Sequence, residues 1–230
     1  MDRSVKYRYP RDVARPREFD EKAVLDAARE QFWAKGYAGT SMDAIAAATG
    51  LGKGSLYGAF GGKRQLFLRI FDAYCARIAD AVTSGLTGPD DQAYARLCAH
   101  IRAAAAGVAA DSRHRGCLLA KGAAELSEHD LDVTTRSRRT LEGIATALAD
   151  DIRIAQRRND LDPAADADQL AALVVAVLRG IEALGKAGID ADRLEGIAET
   201  AIALLPRTDK ERETDVPTGS VLRMPQGGQG

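Results

Sequence analysis

The sequence predicts an all-α protein built from two helical units. Three observations lead to this fold class. Residues 40–63 have the layout of two short helices around a tight turn, and apolar residues recur every three or four positions over residues 63–82. Two later segments are apolar on more than one side. Such spacing aligns apolar side chains on helix faces. A chain of 230 residues with 46% hydrophobic content can form one compact unit or two small domains that share a helix.

The first helix is expected over residues 21–35. Its apolar face carries residues at helical spacing, namely Val24, Leu25, Ala28 and Phe32. Trp33 lies next to this face in the sequence and is expected to pack at the seam between the two units.

The second and third helices are expected to enclose a glycine turn. Thr40, with Asp43 three residues later, is a capping-box variant that starts a helix. Gly50 ends that helix, because glycine accepts the left-handed backbone conformation that such a turn needs. Leu56 is expected to point inward with Leu51. The side chains that remain outward on the third helix are Lys53, Ser55 and Tyr57.

The fourth helix is expected over residues 63–82 and joins the two units. Beyond the break at Gly88 and Pro89, the pattern predicts further helices near residues 91–110, 117–127, 129–158, 167–187 and 191–205.

The last two helices each have more apolar surface than one core face needs. The first stripe of the 167–187 helix consists of Leu170, Leu173, Val174, Val177, Leu178, Ile181 and Leu184, and the second of Ala171, Ala172, Val175 and Ala176. The final helix repeats the pattern through Leu194, Ile197, Ala198, Ala201, Ile202 and Leu205. One stripe can face the core while the other faces a partner helix, which predicts a four-helix bundle between two subunits. The alternative is a core formed within one chain.

Charge is divided unevenly along the chain. Residues 1–70 hold 13 Lys and Arg against 8 Asp and Glu, whereas residues 71–230 hold 19 against 25. A basic N-terminal unit suits contact with phosphates. Residues 1–18 are basic and without apolar periodicity, so they are expected to form a flexible arm. That arm either adds phosphate or minor-groove contacts or is a leader without function.

Composition excludes several protein classes. The sequence has no run of about 18 apolar residues that could span a membrane, and its N-terminus is too polar for a signal peptide. Three cysteines are too few for a disulfide scaffold. A soluble cytoplasmic protein is therefore expected. All 12 aromatic residues lie at or before Tyr94, which argues against a large aromatic cage in the later helices.

Residues 19–71 resemble the TetR-type repressor family. The resemblance is carried in order by Leu25, Ala28, Phe32, Gly36, Tyr37, Gly54, Leu56, Tyr57, Phe60, Lys63, Leu66 and Phe67. A weaker likeness to the ligand domain of one branch continues through residues 116–119 and 160–180. Gly52 and Gly62 stand where the family usually has a serine or an acidic cap. Gly58 removes a side chain that could have touched a base.

The resemblance implies a helix-turn-helix DNA-binding domain over residues 19–64 and a helical ligand-binding and dimerisation domain over residues 65–205. A tail over residues 206–230 is expected to be disordered. The implied protein is a homodimeric repressor that binds palindromic double-stranded operator DNA and is released by a small-molecule inducer. No cofactor, metal or membrane partner is expected.

Seven residues are expected at the DNA. The side chains of Thr40, Ser41, Tyr57 and Lys63 are of the types that hold phosphates. Lys53 and Ser55 are the candidates for base edges. A side chain at Gly54 would obstruct the approach of the helix backbone to the duplex.

Cys117 supports a second interpretation of the same scaffold. It begins a predicted helix near Arg113, Arg115 and Lys121, and helix amides and cations lower a thiol pKa. Some repressors of the resembling family sense oxidants or electrophiles through a cysteine in this segment. The alternatives are a small buried side chain or, by its spacing from His114, a metal ligand.

Two further classes of protein are an enzyme and a protein-binding module. An enzyme is not expected, because no paired carboxylate or catalytic Ser/His/Asp order stands out, and the glycines around Lys53 do not form a nucleotide-binding loop. A helical protein-binding module without DNA function is the alternative from another class.

Overall fold

The structure, a computed structural model, describes residues 19–208 and is all-α there, as predicted. Its helices are α1 Glu21–Lys35, α2 Met42–Thr49, α3 Lys53–Phe60, α4 Lys63–Gly85, α5 Ala93–Ala109, α6 Leu118–Leu126, α7 Leu131–Arg157, α8 Ala167–Lys186 and α9 Ala191–Ala203. A short 3-10 helix, Asp90–Gln92, precedes α5. The predicted arm over residues 1–18 and all but the first three residues of the predicted tail over residues 206–230 lie outside the described residues. Within residues 206–208, Arg207 forms an isolated β-bridge with Leu161.

Short polar side chains start most of these helices. Asp20, Asp130, Asp166 and Asp190 each accept hydrogen bonds from backbone amides in the first turn of the helix that follows. Such caps satisfy amides that have no partner within the helix. The capping-box variant predicted at Thr40 is wrong by one residue, because Ser41 is the cap of α2.

Thr40 has a different role. Its side chain is 1% exposed, and its hydroxyl donates to the carbonyl oxygen of Gly36 at 2.7 Å. The hydroxyl therefore ties the loop after α1 to the end of that helix. A buried hydroxyl with a backbone acceptor gains nothing by turning outward to cap α2.

The first hydrophobic core surrounds the N-terminal half of α4. Phe32 from α1 and Phe67 from α4 form an edge-to-face pair with ring centroids 5.2 Å apart. Leu118 and Leu119 of α6 belong to the same core. A Cβ atom at Gly122 of α6 would lie 2.6 Å from a Phe71 ring carbon, so this close approach requires glycine. Helix α6 is thus packed onto the N-terminal unit, and the domain boundary near residues 64–65 stays a prediction.

The second core lies among α5, α7, α8 and α9 and is almost wholly aliphatic. One ion pair crosses it, between Nη2 of Arg96 on α5 and Oδ1 of Asp151 on α7 at 2.5 Å. The side chain of Asp151 is 2% exposed.

The outer faces of α8 and α9 are apolar and uncovered within the chain. Leu173 is 55% exposed and Leu204 is 75% exposed. The first predicted stripe of α8 is divided in the structure, because Leu173 and Leu184 are exposed whereas Val174 and Leu178 are buried. Residues 174, 178 and 181 form the buried stripe, and residues 173, 177, 180 and 184 form the outer one. Both stripes follow three- and four-residue steps, so sequence spacing alone mixes them.

Among residues 19–208, the helices are too short or too polar to cross a membrane.

Candidate nucleic-acid interface

The turn between α2 and α3 sets the orientation of α3. Gly50 adopts the left-handed conformation, with φ 70° and ψ 8°, at the end of α2. Leu56 is fully buried on the inner side of α3, whereas Tyr57 is 51% exposed on its outer side. Lys53 and Ser55 are also exposed. The structure therefore brings these three predicted contact residues onto one accessible helix, as a helix that enters the major groove requires.

The ammonium group of Lys53 is already paired within the chain. It forms a salt bridge with Asp43 in the first turn of α2. The hydrogen bond to Asp43 raises the pKa of Lys53 above its ordinary value. Sequence reasoning treated Asp43 only as part of a helix cap. The structure shows that this carboxylate lies beside the predicted base-reading lysine and competes for it.

Glycines open the surface of α3. A Cβ atom added at Gly52, Gly54 or Gly58 would meet no atom within 4 Å among the described residues. Packing within the chain therefore does not require glycine at these positions. Their effect is to leave the backbone of α3 accessible, which favours close approach by an external partner.

The remaining predicted contacts flank α3. The Oγ of Ser41 accepts a hydrogen bond from the amide of Ala44 at 3.1 Å, and the side chain is exposed at the start of α2. The Nζ of Lys63, at the start of α4, lies 4.3 Å from the ring centroid of Tyr37. That cation–π contact holds the ammonium near the surface of the N-terminal unit. Thr40 is buried with its hydroxyl occupied, as described above.

The sequence also matches two family models in the order that this fold requires. The model of the bacterial regulatory proteins of the tetR family matches residues 24–70, which cover α2, α3 and parts of α1 and α4. The model of the tetracyclin repressor-like C-terminal domain matches residues 93–201. The chain belongs to the TetR family. It is a DNA-binding transcriptional regulator.

Relatives and solved structures agree with this assignment. The HTH-type transcriptional repressor ComR of Escherichia coli is 28% identical over 198 residues, which cover 85% of this chain and 93% of ComR. The regulator YezE of Bacillus subtilis is 25% identical, covering 84% of this chain and 100% of YezE. A cysteine mutant of the TetR-family regulator CifR, solved with a 26-base-pair operator, is 26% identical with a TM-score of 0.74. That match covers 84% of this chain and 100% of the CifR chain.

Cys117 is the N-cap of α6, the helix that packs onto the DNA-binding unit of this TetR-family regulator. Its Sγ lies 3.6 Å from the hydroxyl of Tyr74 and 3.5 Å from Nη1 of Arg179. Arg179 pairs with Glu182 one turn later on α8, at 2.9 Å. The neighbouring cation is thus Arg179, rather than the nearby residues that the sequence suggested. The signal that could have indicated this cluster is the pair of charges within the apolar run of α8.

The spacing of His114 and Cys117 does not form a metal site in the structure. The Nδ1 of His114 lies 3.0 Å from the carbonyl oxygen of Gly185, and His129 lines a separate groove beside Arg136. Within the part of the chain that the structure describes, no three His, Cys, Asp or Glu side chains converge as metal ligands would.

Thiol reactivity tests the second interpretation of Cys117. The cysteines Cys75, Cys98 and Cys117 are free and buried, so we expect slow reaction of the native protein with a chromogenic disulfide reagent. Unfolding should release all three. A single fast-reacting thiol that disappears in Cys117→Ser would contradict this expectation and favour a thiol switch.

Proposed function

We propose that this chain is a ligand-responsive repressor that binds a palindromic operator as a homodimer and releases it when an inducer binds. The observation that carries the proposal is the exposed outer side of α3, where Lys53, Ser55 and Tyr57 stand among glycines that the fold itself does not require. The CifR complex supports it, because a protein of similar fold and length was solved on operator DNA.

The contact residues fall into two groups in this proposal. Ser41, Tyr57 and Lys63 hold phosphates, with a hydroxyl, a phenol and an ammonium group around the base of α3. Lys53 and Ser55 reach base edges, and Gly54 lets the backbone of α3 approach the duplex. Thr40 is left out of this set, because its hydroxyl is buried and bonded to the carbonyl oxygen of Gly36.

Two copies of α3 are needed to read a palindrome. The uncovered apolar faces of α8 and α9 provide the dimer contact, since large exposed apolar patches mark protein interfaces. In the dimer the two α3 helices would enter successive major grooves, about 34–36 Å apart along the duplex. An inducer in the C-terminal unit would act by favouring a dimer in which the two α3 helices have a different separation. By linkage, the operator then weakens inducer binding by the same factor. The protein acts in the cytoplasm, where its operator is.

Replacing Tyr57 with alanine should weaken operator binding about tenfold to a hundredfold, as expected for the loss of one charge-assisted hydrogen bond to phosphate. Tyr57→Phe keeps the ring and removes only the hydroxyl, so it should lose most of the same affinity. Fluorescence anisotropy on the DNA beside the protein's own gene measures both. Because Tyr57 is exposed on α3, the dimer should be unaffected; unchanged affinity in both variants would count against this contact.

Neutralising Asp43 should have the opposite effect. Asp43→Asn removes a carboxylate from the DNA-facing surface and releases Lys53 from its salt bridge. We expect tighter binding at low salt and a salt dependence steeper by about one unit, since one more ammonium can displace a counterion from phosphate. The control is Asp26→Asn on α1, which removes a carboxylate that is paired with Arg29 rather than with Lys53 and should leave the slope unchanged. A slope equal to that of the wild-type protein would mean that Lys53 does not reach the DNA.

A further inference from the structure

A cavity of about 270 Å³ lies where α1, α4, α5 and α8 meet, and we call it the seam cavity. Two of its walls are aromatic, from Trp33 of α1 and Tyr74 of α4, with ring centroids 5.3 Å apart and planes at 79°. The wall from α5 is small and apolar, consisting of Ala103, Ala104, Gly107 and Val108. Pockets for drug-sized ligands measure about 300–1,000 Å³, so the seam cavity is smaller than these. The seam cavity therefore suits one small molecule with a single ring.

Most charges that line the seam cavity are paired. Nε of Arg115 lies 3.3 Å from Asp111, and its Nη1 lies 3.1 Å from Glu30. Glu182 is paired with Arg179 at 2.9 Å.

Lys186 differs from these paired charges. Its side chain is exposed and runs beside Gly116 at the rim. Among the described residues, no carboxylate lies within salt-bridge distance of its ammonium group. The cavity thus has one uncompensated charge, which is positive and suits the carboxylate of a ligand.

Glu182 offers a hydrogen-bond acceptor in the lining of the seam cavity. The Oε2 atom of Glu182 is buried and lies 2.9 Å from Nη1 of Arg179, in an ion pair without hydrogen-bond alignment. Burial raises the pKa of Glu182, and Arg179 together with a hydrogen bond to Cys117 partly opposes that shift. A carboxylate has about four acceptor sites, so a hydroxyl group on a ligand can donate to one that neither Arg179 nor Cys117 occupies.

We propose that the seam cavity is the effector site and takes a small aromatic carboxylate with a hydroxyl group at the opposite end of its ring. The carboxylate would pair with Lys186, the ring would lie against Trp33 and Tyr74, and the hydroxyl would donate to Glu182. This assignment rests on the ligand response proposed above.

One wall of this site belongs to the DNA-binding unit itself. Trp33 lies on α1, and its Nε1 donates to the carbonyl oxygen of Gly116 at 2.7 Å. Lys121 of α6 donates to the carbonyl oxygen of Trp33 at 2.6 Å. A ligand that packs against the Trp33 indole therefore contacts the end of α1 directly.

The test uses the full chain without DNA and three probes, 4-hydroxybenzoate, benzoate and 4-hydroxybenzamide, in isothermal titration calorimetry. Trp33 is the single tryptophan of the chain, so its emission is a second readout from the cavity wall. We expect 4-hydroxybenzoate to bind most tightly, because benzoate lacks the donor and the benzamide lacks the charge. Lys186→Gln should weaken both benzoates about fivefold and leave the benzamide unchanged. Lys22→Gln, which removes the same charge at the start of α1, is the matched control.

The assignment is overturned if no probe shows saturable binding at millimolar concentration, or if 4-hydroxybenzoate binds the wild-type protein and Lys186→Gln with equal affinity. A benzamide that binds as tightly as 4-hydroxybenzoate also overturns it, because the anionic head would then be unnecessary. Release of operator DNA by 4-hydroxybenzoate, absent in Lys186→Gln, supports the effector role. Failure of the unliganded protein to bind DNA would instead count against the proposed function, and the calorimetric result is independent of it.

Discussion

Replacing Leu173 and Leu204 together with glutamate should convert the dimer into monomers and reduce operator affinity by about 10²–10⁴-fold. Leu173 is exposed on the outer face of α8, and Leu204 is exposed directly after the end of α9. A dimer interface there would bury four carboxylates against apolar surface, which is strongly unfavourable. The loss of affinity follows because two linked DNA-binding units gain that factor over one. Light scattering after gel filtration measures the mass, and fluorescence anisotropy measures the affinity.

The matched control is Leu131→Glu. Leu131 is 79% exposed at the start of α7, so the same chemical change is made away from the outer faces of α8 and α9. This variant should remain a dimer with wild-type affinity. If the double variant also remained a dimer, the subunits would have to associate through another surface.

The second large effect is expected inside the C-terminal unit. Asp151→Ala should lower the free energy of unfolding by about 3–5 kcal/mol, because it leaves the Arg96 guanidinium buried without its partner. For a domain of this size that corresponds to a fall in melting temperature of about 6–20 °C. The melting temperature should be measured at one fixed protein concentration, since dimer formation also stabilises the fold.

A double variant distinguishes the stability that the ion pair contributes from the cost of burying its two charges. Burial raises the pKa of Asp151 and Arg96 only partly opposes that shift, so the environment does not favour the ionised pair strongly. Arg96→Leu with Asp151→Leu should therefore be markedly more stable than Asp151→Ala alone. If the double variant were as unstable as the single one, the ion pair itself would contribute the stability.

Patterns among residues close together in the sequence predicted much of this fold. The bounds of α1 were predicted at residues 21–35 and lie there, because a periodic apolar face is read from neighbouring residues. The turn at Gly50 was likewise read from neighbouring residues. At Thr40 and Ser41 the prediction was wrong, since two adjacent hydroxyls could serve as the cap and a contact with the end of α1 decided between them.

Contacts between distant residues were beyond these patterns. Arg96 and Asp151 are 55 positions apart, and their pairing depends on how α5 packs against α7. The salt bridge of Lys53 with Asp43 depends on the angle between α2 and α3. In α8 the spacing revealed two apolar faces, but only packing against α5, α7 and α9 shows which one is buried. The outward position of Lys53, Ser55 and Tyr57 on α3 was therefore predictable, whereas the present partner of Lys53 was not.

The central claim is that α3 and its neighbours read a DNA sequence. Fluorescence anisotropy of the purified protein on the intergenic DNA beside its gene, against scrambled DNA and across a salt series, tests it most directly. We predict a preference of at least about 10³-fold for the intergenic fragment, with log affinity falling linearly as log salt rises. Equal, salt-insensitive affinity for both DNAs would contradict the claim and favour a helical protein-binding module instead.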